Sequence, residues 1–147
     1  MKAVVQRVKT AHVRVEGRTV GEIGKGLLVL VGIGAGDTVR DIDWMVEKLV
    51  NLRIFETPEG KLDKSVLDVD GALLLVSQFT LYGDCKKGRR PSFSDAMDAD
   101  AAAEVFKLFT AKAAEKVKKV ETGVFRSSME VHLVNDGPVT LILDSRA

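Results

Sequence analysis

The sequence predicts a single α/β domain spanning residues 1–147, in which a mixed β-sheet carries two main helices on one face. Short segments of strand length either alternate apolar and polar residues or are continuously apolar. Two longer segments repeat their apolar residues at helical spacing. A chain of 147 residues without a Pro/Ser-rich linker has the length of one domain.

The first third of the chain is predicted to form strands. Residues 3–8 are rich in β-favouring side chains, residues 12–15 alternate, and Glu16-Gly17 turns the chain into a strand at residues 19–23. The run at residues 27–31 is apolar at every position. A run of this kind is typical of a strand that is covered on both faces.

A helix is predicted next, over residues 38–51, because its apolar residues recur at steps of three and four. Thr38 followed by Asp41 resembles a capping box with a shortened acid, which indicates the helix start. Residues 52–55 then have the composition of a short strand.

The second half is predicted to contain a strand, a helix and two further strands. Asp70-Gly71 is a turn into a buried strand at residues 72–76 that is predicted to run on to Leu81. A second helix is predicted over residues 98–119, acidic at its start and basic at its end, as the helix dipole favours. Two final strands close the sheet, with a turn at residues 135–138 between them.

Composition limits the classes of function. The formal net charge is +1, so any nucleic-acid binding must depend on a local basic patch. One cysteine, Cys85, allows neither an internal disulfide nor a cysteine-based zinc site, and no histidines or carboxylates have metal-ligand spacing. We therefore predict no metal and no cofactor. Without a signal-peptide pattern or a membrane-length apolar run, a soluble cytoplasmic protein is expected.

A glycine cluster at residues 32–36 lies between a predicted strand and a predicted helix, where a dinucleotide phosphate could bind. The dinucleotide fingerprint needs glycine or alanine where this chain has Asp37, whose charge would repel a pyrophosphate. A structural turn is the favoured interpretation. His12 and His132 lie inside alternating strands, and we interpret them as surface or half-buried residues.

A basic loop is formed by Lys86, Lys87, Arg89 and Arg90. On charge alone, a solvated turn would be slightly favoured. The loop closely follows Ser77-Gln78-Phe79-Thr80, however, so a phosphate-binding surface there would adjoin any chemistry at that strand end. Polar side chains that end a buried strand need partners, and the partner is often a substrate.

Several segments together resemble the D-aminoacyl-tRNA deacylases, also called D-tyrosyl-tRNA deacylases. The similarity is densest at residues 76–81, 88–93 and 133–140, with matching segments at 4–8, 26–30 and 51–55. The resemblance implies hydrolysis of the ester that joins a D-amino acid to tRNA, a proofreading reaction. It also implies a homodimer with aminoacylated tRNA as its partner, and no binding to DNA or membranes.

The resemblance assigns roles to individual residues. Ser77, Gln78, Phe79 and Thr80 match a motif that lines the catalytic pocket for the terminal adenosine and its aminoacyl group. Gly137-Pro138 matches a Gly-cisPro motif that acts in the partner subunit to reject L-aminoacyl-tRNA, and Arg7 matches an arginine that supports that loop. Phosphate contacts are expected from the basic loop.

One segment departs from the family pattern. Arg126 and Ser127 stand where the family usually has a small residue and alanine. If they border the pocket, the accepted amino acids or the docking of the tRNA end differ, while the reaction type stays the same.

Two other interpretations remain open from the residues alone. One is a nucleotide- or RNA-binding module without catalysis, and the other is a small-ester hydrolase that uses His12 or His132. Thr80 is a nucleophile candidate by position but has no evident base. We favour backbone N–H groups near Phe79 and Thr80 as oxyanion donors, with the tRNA ribose hydroxyl helping to activate water.

Overall fold

The computed structural model describes residues 1–147 as one α/β domain, which confirms the predicted fold class. In chain order, the elements are β1 (Lys2–Val15), β2 (Arg18–Ile23), β3 (Gly26–Gly32), α1 (Val39–Asn51), β4 (Phe55–Glu56), β5 (Leu62–Lys64), β6 (Ala72–Ser77), a 3-10 helix (Phe79–Tyr82), α2 (Ala99–Lys116), β7 (Val120–Thr122) and β8 (Glu130–Asp144).

Strand β1 organises a six-stranded mixed sheet. On one side, the first half of β1 pairs with β3 and its second half with β2, both antiparallel. On its other side, β1 pairs antiparallel with β8 along nearly its whole length. Parallel pairs of β3 with β6 and of β6 with β7 complete the sheet. Strand β8 pairs only with β1, so its outer edge has no partner in the chain.

The two helices lie together on one face of the sheet, as predicted. Their apolar faces bury a core with β1, β3 and β6 that includes Leu49, Leu75 and Phe109. Burying a large apolar side chain contributes roughly 1.5–3 kcal/mol. This cluster holds 22 buried residues, whereas the cluster on the other face holds 8. Lys112 also donates to the Asp43 carboxylate at 2.7 Å, which links the exposed sides of the helices. Neither helix is long and apolar enough to cross a membrane.

Several predicted element boundaries were wrong. The predicted strand at residues 52–55 is absent, because Leu52 caps α1 and the strand is Phe55–Glu56, paired with the unpredicted β5. Helix α2 ends at Lys116 rather than at residue 119. The Leu73 N–H donates to the Lys119 carbonyl at 3.0 Å, so the chain leaves the helix to join the sheet as β7.

Two further corrections concern the functional region. Strand β6 stops at Ser77 and the chain turns into the 3-10 helix, whereas we predicted a strand running to Leu81. The last two predicted strands are one continuous strand, β8. Residues 135–138 therefore do not form a hairpin turn. They form a bulge within β8, where the register against β1 shifts on both sides of Val8.

Candidate active site

A cavity of about 490 Å³ opens at the end of β6, between the start of α2 and the segment that leads into β8. Ten of its fourteen lining residues are hydrophobic. Polar groups are concentrated in two places: Ser77 and Gln78 at the strand end, and Arg126 and Ser127 on the opposite segment. Small-molecule sites typically occupy about 300–1,000 Å³ and combine apolar walls with a few polar groups, so this cavity is the candidate site.

The strand end is shaped by the change from β6 to the 3-10 helix. The Gln78 N–H donates to the Val31 carbonyl at 2.7 Å, which extends the pairing with β3 by one residue. The Leu81 N–H donates to the Gln78 carbonyl at 3.2 Å and so begins the helix. The N–H groups of Phe79 and Thr80 precede this bond and have no acceptor within the helix. Backbone donors of this kind can stabilise an oxyanion.

Buried Tyr82 ends the 3-10 helix and fixes its orientation. Burial raises the pKa of the Tyr82 hydroxyl, and the nearby Asp37 carboxylate raises it further, while a hydrogen bond with Arg146 opposes the shift. The phenol is therefore neutral at physiological pH.

The Thr80 side chain is exposed and does not line the cavity. Its hydroxyl oxygen accepts a hydrogen bond from the Gln78 amide. An amide donor cannot remove a proton, so this contact does not activate the hydroxyl as a nucleophile.

Phe79 connects the cavity to the basic loop. Its side chain lines the cavity yet is 59% exposed, which is unusual for a phenylalanine. The ring of Phe93 meets it edge-to-face, with the centroids 5.1 Å apart. Phe93 lies three residues after Arg90, so this aromatic pair holds the basic loop beside the mouth of the cavity.

The basic loop is closed by paired backbone hydrogen bonds between Asp84 and Ser92 at 2.7 and 2.9 Å. Between them the chain turns at Gly88, whose φ of +69° favours glycine. All four basic side chains of the loop are exposed, and none has a carboxylate within 4.0 Å. The loop therefore presents unpaired positive charge to solvent.

The bulge at residues 135–138 places Gly137 and Pro138 on the surface, joined by a cis peptide bond. Asn135 holds its base, because its amide donates to the Arg7 carbonyl at 2.9 Å and to the Val139 carbonyl at 3.0 Å. The Asn135 side chain thus closes the four-residue bulge at its base, and the bulge projects from the sheet as a defined loop.

Arg7 lies beneath this bulge and is only 4% exposed. Its guanidinium donates to the Asp136 carbonyl at 3.2 Å and to the Ile54 carbonyl at 2.8 Å, and lies 3.4 Å from the Asp136 carboxylate. A Cβ on Gly137 would meet the guanidinium at 3.0 Å. The arginine therefore supports the bulge from inside and leaves little room for a larger residue than glycine.

The remaining sequence candidates lie outside the cavity. Asp37 is buried and accepts from the Gly34 N–H at 2.7 Å, so a carboxylate already occupies the donor that a phosphate would need in the glycine turn. His12 and His132 stack on each other with centroids 4.4 Å apart on neighbouring strands. Neither histidine lines the cavity.

The cavity also includes residues that sequence reasoning missed. Met97, Ala99 and Ala102 line it from α2 and the segment before it, and Phe125 and Met129 from the segment before β8. Phe125 and Met129 belong to the stretch in which we noted a departure from the family pattern. Met97 has no sequence signal that marks it as a cavity residue. The apolar residues of α2 are predicted as core by their helical spacing, and that spacing does not distinguish core from cavity lining.

Comparison with known proteins gives a consistent result. A family model described as D-Tyr-tRNA(Tyr) deacylase matches residues 4–144. D-aminoacyl-tRNA deacylases from Desulfitobacterium hafniense strain DCB-2 and Thermotoga petrophila are 58% and 55% identical over 145 residues, covering 99% of this chain and 97% of each relative.

Solved structures resemble the chain over its whole length. One described as c-Myc DNA Unwinding Element Binding Protein has a TM-score of 0.95 and 43% identity, with 100% of both chains covered. Another, described as a probable eukaryotic D-amino acid tRNA deacylase, has a TM-score of 0.83 over 97% of both chains. At 18% identity, that second likeness concerns the fold alone.

Proposed function

This chain belongs to the D-Tyr-tRNA(Tyr) deacylase family, and from that premise we propose that its cavity holds the 3′-terminal aminoacyl-adenosine of tRNA. This match confirms the family predicted from the sequence. The chain is accordingly a hydrolase that cleaves the ester bond of D-aminoacyl-tRNA. The observation that carries the assignment of the site is the meeting of Ser77, Gln78 and Phe79 at one end of the cavity.

The shape of the site suits this substrate. The apolar walls, which include Met97, Ala102 and Phe125, suit a flat nucleobase, while the polar strand end suits the ribose and the ester. The basic loop, held at the mouth through Phe93, would contact phosphates without reading their sequence. An enzyme that acts on many tRNAs needs contacts of that kind.

In the mechanism that we favour, water attacks the ester carbonyl and the N–H groups of Phe79 and Thr80 stabilise the resulting oxyanion. The neighbouring ribose hydroxyl of the tRNA takes part in moving the proton from the water. Collapse of the intermediate breaks the bond between the carbonyl carbon and the 3′ oxygen. The 3′ oxygen receives the proton, which releases the free D-amino acid and the tRNA.

Substitution of Thr80 by alanine tests this assignment. We expect Thr80→Ala to keep kcat within roughly tenfold of the wild type, because its hydroxyl has no base to activate it. Single-turnover deacylation of D-tyrosyl-tRNA measures the effect, and Thr19→Ala, at an exposed position of β2, is a matched control. Full loss of activity with the fold and tRNA binding intact would establish Thr80 as the nucleophile.

We further propose a homodimer in which the Gly137-Pro138 bulge of each subunit reaches the cavity of the other. The outer edge of β8 is unpaired, and large apolar side chains on this strand are exposed, Ile142 by 80%. An edge of that length normally needs a cover, and a second copy of the same chain would provide one.

Sedimentation tests the dimer. At micromolar concentration we expect one species with twice the 16.0 kDa mass of the chain. A protein that sediments only at 16.0 kDa and is active in deacylation would contradict the proposal, since the partner's bulge would then be unnecessary.

The same bulge would provide chiral selection. Backbone carbonyl groups of the partner's loop would bind the substrate α-ammonium group, and with that group and the ester fixed, an L side chain would run into the loop. Rejection by a rigid backbone works for every amino acid, whereas attraction to a side chain would favour one. Glycyl-tRNA has no side chain to reject, so we also expect some hydrolysis of it. A tRNA substrate implies a cytoplasmic location.

Turnover separates this proposal from a nucleic-acid-binding module without catalysis, which the basic loop alone would also fit. D-tyrosyl-tRNA in large excess over the chain should release free D-tyrosine in amounts well above the amount of protein. Tight binding of tRNA without release of D-tyrosine would favour the binding module.

A further inference from the structure

Arg126 lies at the tip of a tight turn on the rim of the cavity. The Ser127 N–H donates to the Val124 carbonyl at 3.2 Å, which closes a four-residue turn with Arg126 in its third position. Phe125 anchors the turn against Phe106 of α2, with the ring centroids 5.9 Å apart. The turn is therefore fixed, and the arginine side chain begins at a defined point on the rim.

The backbone at Arg126 does not favour an arginine. Its φ is +68°, a left-handed conformation that the third position of a type II turn requires and that glycine adopts most easily. A non-glycine residue held in this region beside a cavity suggests that its side chain has a role there. Arg126 is 56% exposed and makes no hydrogen bond that stabilises the turn itself.

The one ion pair of Arg126 is with Asp100 in the first turn of α2, at 3.0 Å between Nη2 and Oδ1. Asp100 is 85% exposed, so solvent screens this pair on both sides and the guanidinium can exchange partners readily. Asp100 also places a negative charge near an opening that a polyanionic tRNA end must approach. The arginine offsets that charge.

We infer that Arg126 is a substrate-binding residue that leaves Asp100 to pair with the 5′-phosphate of the terminal adenosine. The inference rests on the proposed function, since it needs the adenosine in the cavity. A guanidinium can bind phosphate through two parallel hydrogen bonds. The exposed pair with Asp100 is weak and opposes this exchange little. Every tRNA carries this phosphate, so the contact would serve all substrates equally.

Two non-hydrolysable probes test the inference. Both are 3′-deoxy-3′-(D-alanylamino)adenosine, in which an amide replaces the ester, one with a free 5′-hydroxyl and one with a 5′-phosphate. Binding is measured by titration calorimetry at low salt for the wild type, Arg126→Gly and Arg126→Lys. Glycine suits the positive φ, so Arg126→Gly should fold with an unchanged or higher Tm. Arg53→Ala, which removes another exposed and ion-paired arginine, is the control.

We expect the 5′-phosphate to tighten binding to the wild type and to Arg53→Ala roughly tenfold or more, and not to tighten binding to Arg126→Gly. Arg126→Lys should keep part of the gain. Equal binding of both probes to the wild type, or a phosphate gain that survives in Arg126→Gly, would overturn the inference while leaving the proposed site intact. If neither probe binds the wild type, the proposed site itself fails.

A third probe tests whether Arg126 instead binds an acidic side chain of the substrate amino acid. The D-aspartyl amide without a 5′-phosphate carries its anion on the amino-acid side chain. We expect it to bind the wild type and Arg126→Gly with similar affinity. A D-aspartyl preference that disappears in Arg126→Gly, without any phosphate effect, would overturn the phosphate assignment and make Arg126 a selector of acidic amino acids.

Discussion

Arg7→Ala is expected to reduce kcat/KM for D-tyrosyl-tRNA by at least about 100-fold, because misplacement of a positioning element by about 1 Å can have that effect. The guanidinium is the buried support of the Gly137-Pro138 bulge through its contacts with Asp136 and Ile54. Its removal also leaves the buried Ile54 carbonyl without its side-chain donor, so the free energy of unfolding should fall by roughly 2–4 kcal/mol.

The readout that distinguishes positioning from general destabilisation is chiral discrimination. Well below the Tm of the variant, with circular dichroism confirming a folded chain, the ratio of D- to L-tyrosyl-tRNA hydrolysis should fall in Arg7→Ala. Arg7→Lys keeps the charge but not the forked geometry, so it should recover only part of the ratio. Arg14→Ala, on the same strand with an exposed hydrogen bond, should behave as the wild type. An unchanged D/L ratio in Arg7→Ala would show that the bulge does not select handedness.

Neutralising the basic loop, by changing Lys86, Lys87, Arg89 and Arg90 together to glutamine, should weaken tRNA binding and flatten its dependence on salt. Each phosphate contact that is lost should reduce the slope of log affinity against log salt by roughly 0.7–0.9. The four side chains have no acidic partners, so the folded state should lose no ion pair and the Tm should change little. Deacylated tRNA is a suitable ligand, since binding is then separate from turnover.

A matched pair of variants controls for net charge. Lys86→Gln with Lys87→Gln removes two charges from the loop, and Lys118→Gln with Lys119→Gln removes two exposed charges just beyond the end of α2. The end of α2 lies roughly 20 Å along the helix from Ala102, which lines the cavity, at 1.5 Å per residue. Only the loop pair should change the salt slope. If both double variants have the same slope of log affinity against log salt, the loop does not contact tRNA phosphates and is only a solvated turn.

Apolar spacing and capping residues, which are visible in the sequence, correctly predicted helix α1 and strand β3. Helix α1 begins within one residue of its predicted start, and the Asp41 carboxylate accepts from the Thr38 N–H at 2.8 Å, as in a capping box. Strand β3, apolar on both faces, contributes Leu27 and Val29 to one core and Leu28 to the other, so it is covered on both faces as expected. These features depend on spacing and on residues close in sequence, which a single sequence contains.

Features that depend on distant partners were predicted wrongly or missed. Residues 135–138 have the composition of a hairpin turn, and only the continuous pairing of β8 with β1 makes them a bulge. The 3-10 helix after Ser77 forms because the pairing of β6 with β3 ends at Gln78. The 3-10 helix places polar backbone at the cavity, whereas the bulge places it on the surface of the sheet, and neither feature has a local signature. The cavity itself is lined by four separate segments, which only tertiary structure brings together.

The measurement that tests the central claim most directly compares hydrolysis of D-tyrosyl-tRNA and L-tyrosyl-tRNA, prepared on the same tRNA and assayed at the same enzyme concentration. We expect rapid hydrolysis of the D-ester, while the L-ester decays at its spontaneous rate without enzyme. Glycyl-tRNA should be cleaved to a measurable extent. Equal enzymatic rates for the D- and L-esters, or no enzymatic hydrolysis of the D-ester, would contradict the account.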